Sequence, residues 1–217
     1  MTRQSFKDQV FKVREDVIVA VVNRLLSEKG FDLMTVDEVA IEVGIGKASL
    51  YKHFASKEDL AAAAMAFVLE GALAHAGQLA ADAALDDFGR LVSMARWAVR
   101  RQIAGEMPAL PAQNPTLRKA MGRNAVYMER LVRLSDLLGP WTQSARAAGR
   151  LDPALPAEFT LYTLFAKGCD PVVFIMKEAG QHSDDEIVEW AVRACFGGLA
   201  GPTAAPRRGG ARRPVKA

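Results

Sequence analysis

Residues 35–57 read TVDEVAIEVGIGKASLYKHFASK and predict two short helices joined by a tight turn. A threonine followed three residues later by a glutamate forms a capping box, so Thr35 and Glu38 predict the start of the first helix. Its apolar spacing ends before Gly44, which supplies the conformational freedom that a tight turn needs. Ala40 is the small residue that lets two helix backbones approach at the crossing. The pattern therefore favours a compact helical hairpin.

The second helix of this hairpin is predicted over Lys47–Phe54, with Leu50 on its inner face. No acidic residue occurs between Glu42 and Glu58, so its outer face is locally cationic. The cations and hydrogen-bond donors of this segment are Lys47, Ser49, Tyr51, Lys52, His53 and Lys57. Such a surface suits a polyanion. Lys57 also stands at a helix start, where free N–H groups and the helix dipole favour a phosphate.

Apolar residues return every three or four positions almost throughout the chain, which predicts an all-α protein. A first helix face begins at Val10 and ends at Gly30, and Ser56 caps a long helix that runs through Leu69. With the hairpin, the first helix predicts a three-helix head of helix-turn-helix type. Further helices are expected near 87–104, 115–139, 140–149, 156–179 and 184–199, with one break placed at Gly139–Pro140.

The distribution of charge gives no support for a bulk attraction to polyanions. The formal net charge of the 217 residues is +3, but residues 202–217 carry Arg and Lys without any acid. The remaining chain has 23 basic against 25 acidic residues, because five bases belong to that segment. DNA binding would therefore depend on where individual charges lie. Residues 202–217 are rich in Pro, Gly and Arg and are expected to form a disordered basic tail.

Half of the chain is hydrophobic, which is enough for a sizeable core. The longest uninterrupted apolar run, Leu60–Leu69, falls short of the roughly 18 residues that a bilayer span needs, which argues against a membrane partner. Charged residues also interrupt any secretory signal near the N-terminus, so a cytoplasmic location is expected. Cys169 and Cys195 form no metal-binding pattern and are expected to be buried and inert. Neither a metal nor a cofactor is predicted.

The segment from about Val17 to Leu60 resembles the N-terminal domain of the TetR family of bacterial transcriptional regulators. The resemblance is sharpest in GIGKASLYKHF, residues 44–54, and in SKEDL, residues 56–60. It implies a helix-turn-helix DNA-binding domain over residues 1–56. It also implies an all-helical effector-binding and dimerisation domain over residues 57–201, which the basic tail follows.

By this resemblance, the DNA contacts fall on Thr35, Lys47, Ala48, Ser49, Tyr51, Lys52, His53 and Lys57. The positions of Tyr51 and Lys57 contact phosphates in the family, that of His53 lies against the DNA backbone, and the others face or border the major groove. Ala48 and Lys52 differ from the residues that many members carry, so the base preference stays open. Plain structural roles remain as alternatives: packing for Tyr51, capping or exposure for His53, and a solvated charge for Lys52.

The second half of the chain is expected to hold a cavity for a small hydrophobic effector. Large side chains at helical spacing are the candidate lining, although plain core packing explains the same pattern. These candidates are Met94, Trp97, Arg101, Met107, Tyr127, Met128, Leu131, Tyr162 and Phe165. The resemblance further implies that the last two long helices form a four-helix bundle with a second copy of the chain. The candidate interface residues are Phe174, Ile187, Trp190, Ala191, Ala194 and Phe196.

The function implied is that of a homodimeric repressor, which binds a palindromic double-stranded DNA operator and is released by its effector. An enzyme is disfavoured because His53, His75 and His182 fall in no catalytic motif. The alternative is a nonspecific DNA-packaging or interaction protein without an effector, for which the basic tail would supply affinity. The near-neutral charge of the rest of the chain argues against this alternative.

Overall fold

A computed structural model describes residues 6–111, 113–152 and 154–197, and all regular elements in these ranges are helical. The helices are α1 (Phe6–Leu33), α2 (Val36–Val43), α3 (Lys47–Leu50), α4 (Lys57–Ala81), α5 (Asp87–Ile103), α6 (Pro115–Arg123), α7 (Ala125–Ala147), α8 (Ala157–Ala166), α9 (Pro171–Ala179) and α10 (Asp184–Gly197). A 3-10 turn over Lys167–Cys169 joins α8 to α9. The all-α fold predicted from the sequence is confirmed, and the predicted basic tail lies outside the described residues.

Two clusters of buried side chains organise the fold. The first packs α1, α2 and α3 together and includes Ile18, Val39 and Leu50, which are fully buried. It also takes Leu60 from α4 and Leu117 from α6. The second cluster joins α4, α5 and α7 to α8, α9 and α10. Because α4 contributes residues to both clusters, it packs against the N-terminal head and against the larger helical body. The domain boundary predicted between residues 56 and 57 stays a prediction.

The straight part of α1 ends at Gly30, as the sequence predicts. Gly30 has a φ of 77°, in the left-handed region that favours glycine, and the helical residues after it follow a kink. The chain beyond the kink is fixed by a long-range hydrogen bond, in which the Phe31 N–H donates to the Ala109 carbonyl at 3.1 Å. The end of α1 is thereby attached to the loop that follows α5.

Several predicted helix boundaries are wrong. The segment 115–139 is divided at Asn124, whose side chain accepts the Tyr127 N–H at 2.9 Å and so caps α7. The predicted break at Gly139–Pro140 does not occur, since α7 continues through Pro140. Leu138 and Trp141 on either side of this proline are buried in the second cluster, and that packing outweighs the local cost of proline.

The predicted helix over residues 156–179 is interrupted by the 3-10 turn. Asp170 and Pro171 explain the interruption. Proline has no N–H to donate and is favoured in the first turn of a helix, and the Asp170 side chain accepts the Val172 N–H at 3.0 Å as a new cap. The last helix ends at Gly197 within the described residues, close to the predicted end at 199.

Among the described residues, two segments are long and apolar enough to span a bilayer by length and composition. The first is α4, Lys57–Ala81, and half of its apolar window is buried in the structure. The second, Ala157–Ala179, comprises α8, the 3-10 turn and α9, and only 17% of its window is buried. The first segment is explained as the central helix of the bundle, whereas the second presents apolar side chains outward.

Candidate nucleic-acid interface and internal cavity

The turn between α2 and α3 is fixed by its caps. The Thr35 hydroxyl accepts the Glu38 N–H at 3.2 Å, and the Glu38 carboxylate accepts the Thr35 N–H at 3.0 Å, so the predicted capping box is present. Gly44 ends α2 with a φ of 74°, and the Ile45 N–H donates to the Ala40 carbonyl at 3.0 Å. Glycine is needed here for its backbone conformation rather than for space, since a Cβ atom would meet no neighbouring group within 4 Å.

The third helix is shorter than predicted. Its α-helical part covers only Lys47–Leu50, and the following residues form tighter turns, in which the Lys52 N–H donates to the Ser49 carbonyl and the His53 N–H to the Leu50 carbonyl. Leu50 is fully buried and anchors this segment to the head. Exposed side chains on the opposite side are Lys47, Ala48, Tyr51 and Lys52, with Ser49 half-buried between them. Four of the predicted contact residues therefore share one exposed surface.

Acidic side chains near this surface are engaged by cations. The Lys29 ammonium lies 2.8 Å from the Glu38 carboxylate, and Arg24 contacts Glu42. The hydrogen bond from Lys29 holds the pKa of Glu38 below its usual range. Lys47 Nζ lies 2.9 Å from Asp37 Oδ1, and this hydrogen bond raises the lysine pKa. The three carboxylates of α2 thus repel a polyanion less than their number suggests.

Lys57 occupies the first position of α4, as predicted. Its Nζ donates to the Asp32 carbonyl at 3.3 Å and lies 4.5 Å from the centroid of the Phe31 ring. Ser56 caps the same helix by accepting the Asp59 N–H at 3.0 Å. The Lys57 charge is therefore positioned beside a helix N-terminus and next to the kinked end of α1.

His53 does not present its ring to the exposed surface. Its side chain is only 4% exposed and stacks on Phe11 of α1, with ring centroids 4.1 Å apart. Its Nδ1 lies 3.6 Å from the Glu15 carboxylate. In this conformation the ring fastens the segment after α3 to α1, which corrects the expectation of a side chain lying against DNA. No local pattern in the sequence indicates this contact, because its partners lie about forty residues earlier.

A cavity of about 290 Å³, which we call the internal cavity, lies between α4, α5, α7 and α8 and is partly open to the surface. Its lining residues are Met65, Val68, Leu69, Ala72, Met94, Trp97, Ala98, Met107, Tyr127, Leu131, Leu134, Leu138, Tyr162, Leu164 and Phe165. None of these described side chains is charged, and polar side-chain atoms come only from the indole of Trp97 and the hydroxyls of Tyr127 and Tyr162. Burial raises the pKa of Tyr127, so its hydroxyl stays protonated and able to donate.

Seven of the nine predicted lining residues line this cavity. Arg101 and Met128 do not. The Arg101 guanidinium lies 5.6 Å from the Trp97 ring and 2.7 Å from the Glu106 carboxylate, on the outer side of the cavity wall. Met128 is exposed on α7. The contribution of α4 was missed because its alanine-rich sequence shows almost no difference between a cavity face and a core face.

An apolar face runs along α8, α9 and α10. We call it the outer face and define it by Phe159, Tyr162, Val172, Phe174, Ile175 and Trp190, all of which are exposed. Ala194 is also exposed, one turn beyond Trp190 on α10. Of the predicted interface residues, Ile187 is wrong, because it is buried in the second cluster. Ala191 and Phe196 are half-buried against that cluster, with the Phe196 ring packed edge-on against Phe88.

The described residues contain no group of three or more His, Cys, Asp or Glu side chains arranged to hold a metal ion. Cys169 is exposed and Cys195 is half-buried, so the expectation that both are buried is wrong for Cys169 and only partly met by Cys195. Neighbouring protein atoms still desolvate both thiols, and this desolvation raises their pKa and favours the protonated, poorly nucleophilic form.

Comparison with known proteins places this arrangement in a family. Residues 18–64 match the family described as bacterial regulatory proteins, tetR family. These residues contain α2, the Gly44 turn, α3 and the start of α4. Over these residues the chain is similar to the TetR family. The α2–α3 pair is accordingly its helix-turn-helix, and the resemblance inferred from the sequence is confirmed.

Individual relatives agree with this assignment. The biofilm operon icaADBC HTH-type negative transcriptional regulator IcaR of Staphylococcus aureus is 48% identical over 46 residues, which are 21% of this chain and 25% of that protein. The chain thus matches about a quarter of the length of the curated relatives. A match of this extent supports a TetR-type DNA-binding domain and identifies neither an operator nor an effector.

Solved structures extend the likeness to the whole fold. The fatty acid degradation regulator FadR from Bacillus halodurans has a TM-score of 0.64 at 15% identity, covering 91% of this chain and 98% of that one. FadR from Bacillus subtilis, solved in complex with stearoyl-CoA, has a TM-score of 0.59 at 12% identity, covering 85% of this chain and 99% of that one. At these identities the likeness establishes a shared TetR-type fold.

Proposed function

We propose that this protein is a cytoplasmic transcriptional repressor, which binds a palindromic operator as a homodimer and is released by a small hydrophobic effector. The observation that carries the DNA-binding part is the exposed surface of α3. Lys47, Tyr51 and Lys52 project from a segment that the buried Leu50 fixes to the head. The acids beside this surface are already paired with cations.

The proposed contacts divide into two kinds. Tyr51 and Lys57 hold phosphates, and these contacts set the position of the head on the duplex. Lys47, Ala48, Ser49 and Lys52 face base edges or the groove walls, with Thr35 at the border. His53 acts indirectly, by fastening the end of this segment to α1.

Dimerisation through the outer face supports the choice of a palindromic operator. Exposed apolar side chains on three consecutive helices favour burial against a like surface, and a two-fold dimer is the commonest arrangement. Two copies of the head then meet successive major grooves, which lie about 34–36 Å apart along one side of B-DNA. Each head would read one half of the palindrome.

The lining of the internal cavity favours an effector whose buried part carries no charge. A charged group inside it would be desolvated without a counter-ion, at a cost of several kcal/mol. Among the fold neighbours, FadR from Bacillus halodurans is a fatty acid degradation regulator, and the transcriptional regulator FadR from Bacillus subtilis was solved in complex with stearoyl-CoA. The effector releases DNA to the extent that it prefers a dimer whose heads are spaced differently.

Selection of bound sequences from random DNA, followed by footprinting, tests this proposal. We expect one short palindrome to be protected, and a titration with apolar small molecules to release it. Broad protection without sequence preference would instead support the DNA-packaging alternative. A set of apolar candidates that all leave operator affinity unchanged would contradict the effector part.

Replacing Asp37 with asparagine is expected to tighten operator binding by about threefold to tenfold, because Lys47 loses the carboxylate that now holds it. The slope of log affinity against log salt should become steeper by up to about 0.9 for each phosphate that the released lysine reaches. Fluorescence anisotropy at several salt concentrations measures both quantities. Asp136→Asn on α7 is the control. Unchanged affinity in Asp37→Asn would mean that Lys47 does not approach DNA.

A further inference from the structure

A second cavity shares one lining side chain with the first. This outer groove has a volume of about 530 Å³ and lies between the end of α1, the loop after α5 and the start of α9. Met107 lines both the internal cavity and the outer groove. The two spaces therefore meet at a flexible, unbranched thioether, which can change rotamer at a small cost.

Gly168, in the 3-10 turn, makes room for this methionine. A Cβ atom at residue 168 would overlap the Met107 Cε, so any larger residue would displace the methionine side chain. The 3-10 turn is held in place from α5, where the Gln102 side chain donates to the Asp170 carbonyl at 2.8 Å and accepts the Asp170 N–H at 3.2 Å. Met107 thus lies against a fixed glycine backbone, as a movable partition between two spaces.

The chemistry of the two spaces differs. The internal cavity has no charged side chain among its described lining residues, whereas the outer groove includes Ser27, Lys29, Asp32 and Gln102. A molecule that occupied both would need an apolar end for the cavity and a polar end for the groove. A water molecule takes about 30 Å³ in the liquid, and a methylene group is of similar size. The volume of about 290 Å³ of the internal cavity therefore holds roughly ten chain carbons.

We propose that the effector is a straight-chain amphiphile longer than the internal cavity, whose apolar tail fills that cavity and whose polar end passes Met107 into the outer groove. This rests on the proposed function, and it identifies the ligand class and the route by which the ligand acts. A compact apolar molecule fits the internal cavity alone and leaves Met107 against Gly168.

Occupation of the outer groove acts on the DNA-binding head through hydrogen bonds. The loop over residues 104–111 is tied to α1 by three of them: Asn23 Nδ2 donates to the Glu106 carbonyl, the Ala109 N–H donates to the Leu26 carbonyl, and the Phe31 N–H donates to the Ala109 carbonyl. Lys57 in turn donates to the Asp32 carbonyl at the rim of the groove. A ligand that moves this loop therefore moves the end of α1 and a proposed phosphate contact together.

The test uses the full chain with octanoic, decanoic, dodecanoic and hexadecanoic acids, and with the matching primary alcohols to separate a charged from a neutral polar end. Calorimetry gives affinities, the change in tryptophan fluorescence that is lost in Trp97→Phe reports occupation of the internal cavity, and anisotropy follows release of operator DNA. The variants are Met107→Ala, which widens the passage, and Met107→Trp, which narrows it. Met128→Ala is the matched control, because Met128 lines neither space.

We expect octanoic acid or octanol to bind without releasing DNA, and the sixteen-carbon probes to bind and release it. Met107→Ala should raise the ratio of sixteen-carbon to eight-carbon affinity by about fivefold to tenfold, Met107→Trp should lower it, and Met128→Ala should leave it unchanged. If Met107→Trp does not fold, the ratio in Met107→Ala still decides. An unchanged ratio, or equal DNA release by short and long probes, would overturn this inference alone. Failure of every probe to bind would overturn it together with the effector part of the proposed function.

Discussion

Replacing Ile175 with aspartate is expected to convert the dimer to a monomer and to remove operator binding at concentrations where the wild type is saturated. Ile175 is 62% exposed on α9, the second of the three helices that carry the outer face. In a two-fold dimer the substitution occurs twice, and each copy buries a carboxylate without a counter-ion. At several kcal/mol for each charge, the dimer dissociation constant should rise by a factor on the order of 10³ or more.

The loss of DNA binding follows from the loss of the dimer. A single head makes only half of the contacts to a palindrome, and the second half-site is no longer held close by the first. Sedimentation velocity measures the oligomeric state, and anisotropy with a palindromic duplex measures the binding. The circular dichroism spectrum should stay helical, because an exposed substitution costs the folded subunit little.

Val132→Asp is the matched control for this experiment. Val132 is β-branched and 52% exposed, but it lies on α7 and outside the outer face. It should remain dimeric and bind DNA normally. A dimeric Ile175→Asp protein, or a Val132→Asp protein that is monomeric, would show that the subunits meet through another surface.

The DNA-binding head could be predicted well because its signals are local. The capping box at Thr35 and the glycine at 44 act over one or two turns, so the sequence contains both partners of each contact. The environment of His53 could not be predicted from local signals. Its ring is buried by Phe11, which is distant in sequence, and no spacing rule connects the two residues.

In the larger helical body, too, some features could be predicted from the sequence and others depend on tertiary packing. Large aromatic and methionine side chains indicate most of the cavity, but Arg101 points to Glu106 outside the wall because a nearby charge satisfies it there. The family resemblance puts Ile187 among the candidate interface residues, and only the packing reveals that this residue faces inward. Pro140 suggests a break, although burial on both sides keeps the helix continuous.

The outer groove has no sequence signature at all. Its walls come from α1, the loop after α5, the 3-10 turn and α9, and their residues show no common pattern. The need for glycine at residue 168 follows from the Met107 side chain that lies against it, and this contact is not apparent in the sequence. Such a site can be recognised only in the folded structure, because its lining residues come from segments that are far apart in the sequence.

The joint replacement of Tyr51 and Lys57 by alanine is expected to weaken operator binding by a factor on the order of 10²–10⁴. The dimer loses four contacts to phosphates, two from each subunit, and at a net value of about 0.5–1.5 kcal/mol for each the loss is about 2–6 kcal/mol. The salt slope should become shallower by about 0.9 for each phosphate that Lys57 no longer neutralises. Both side chains lie at the surface of the head, and the buried Leu50 is untouched, so the fold should persist.

The most direct measurement is the affinity of this double variant for the selected palindrome at several salt concentrations, beside the wild type and Arg133→Ala. Arg133 is exposed on α7, away from α3, and controls for the loss of a surface cation. We predict a large loss with a shallower salt slope in the double variant, and wild-type behaviour in the control. Wild-type affinity and slope in the double variant would contradict the placement of α3 and the start of α4 on DNA.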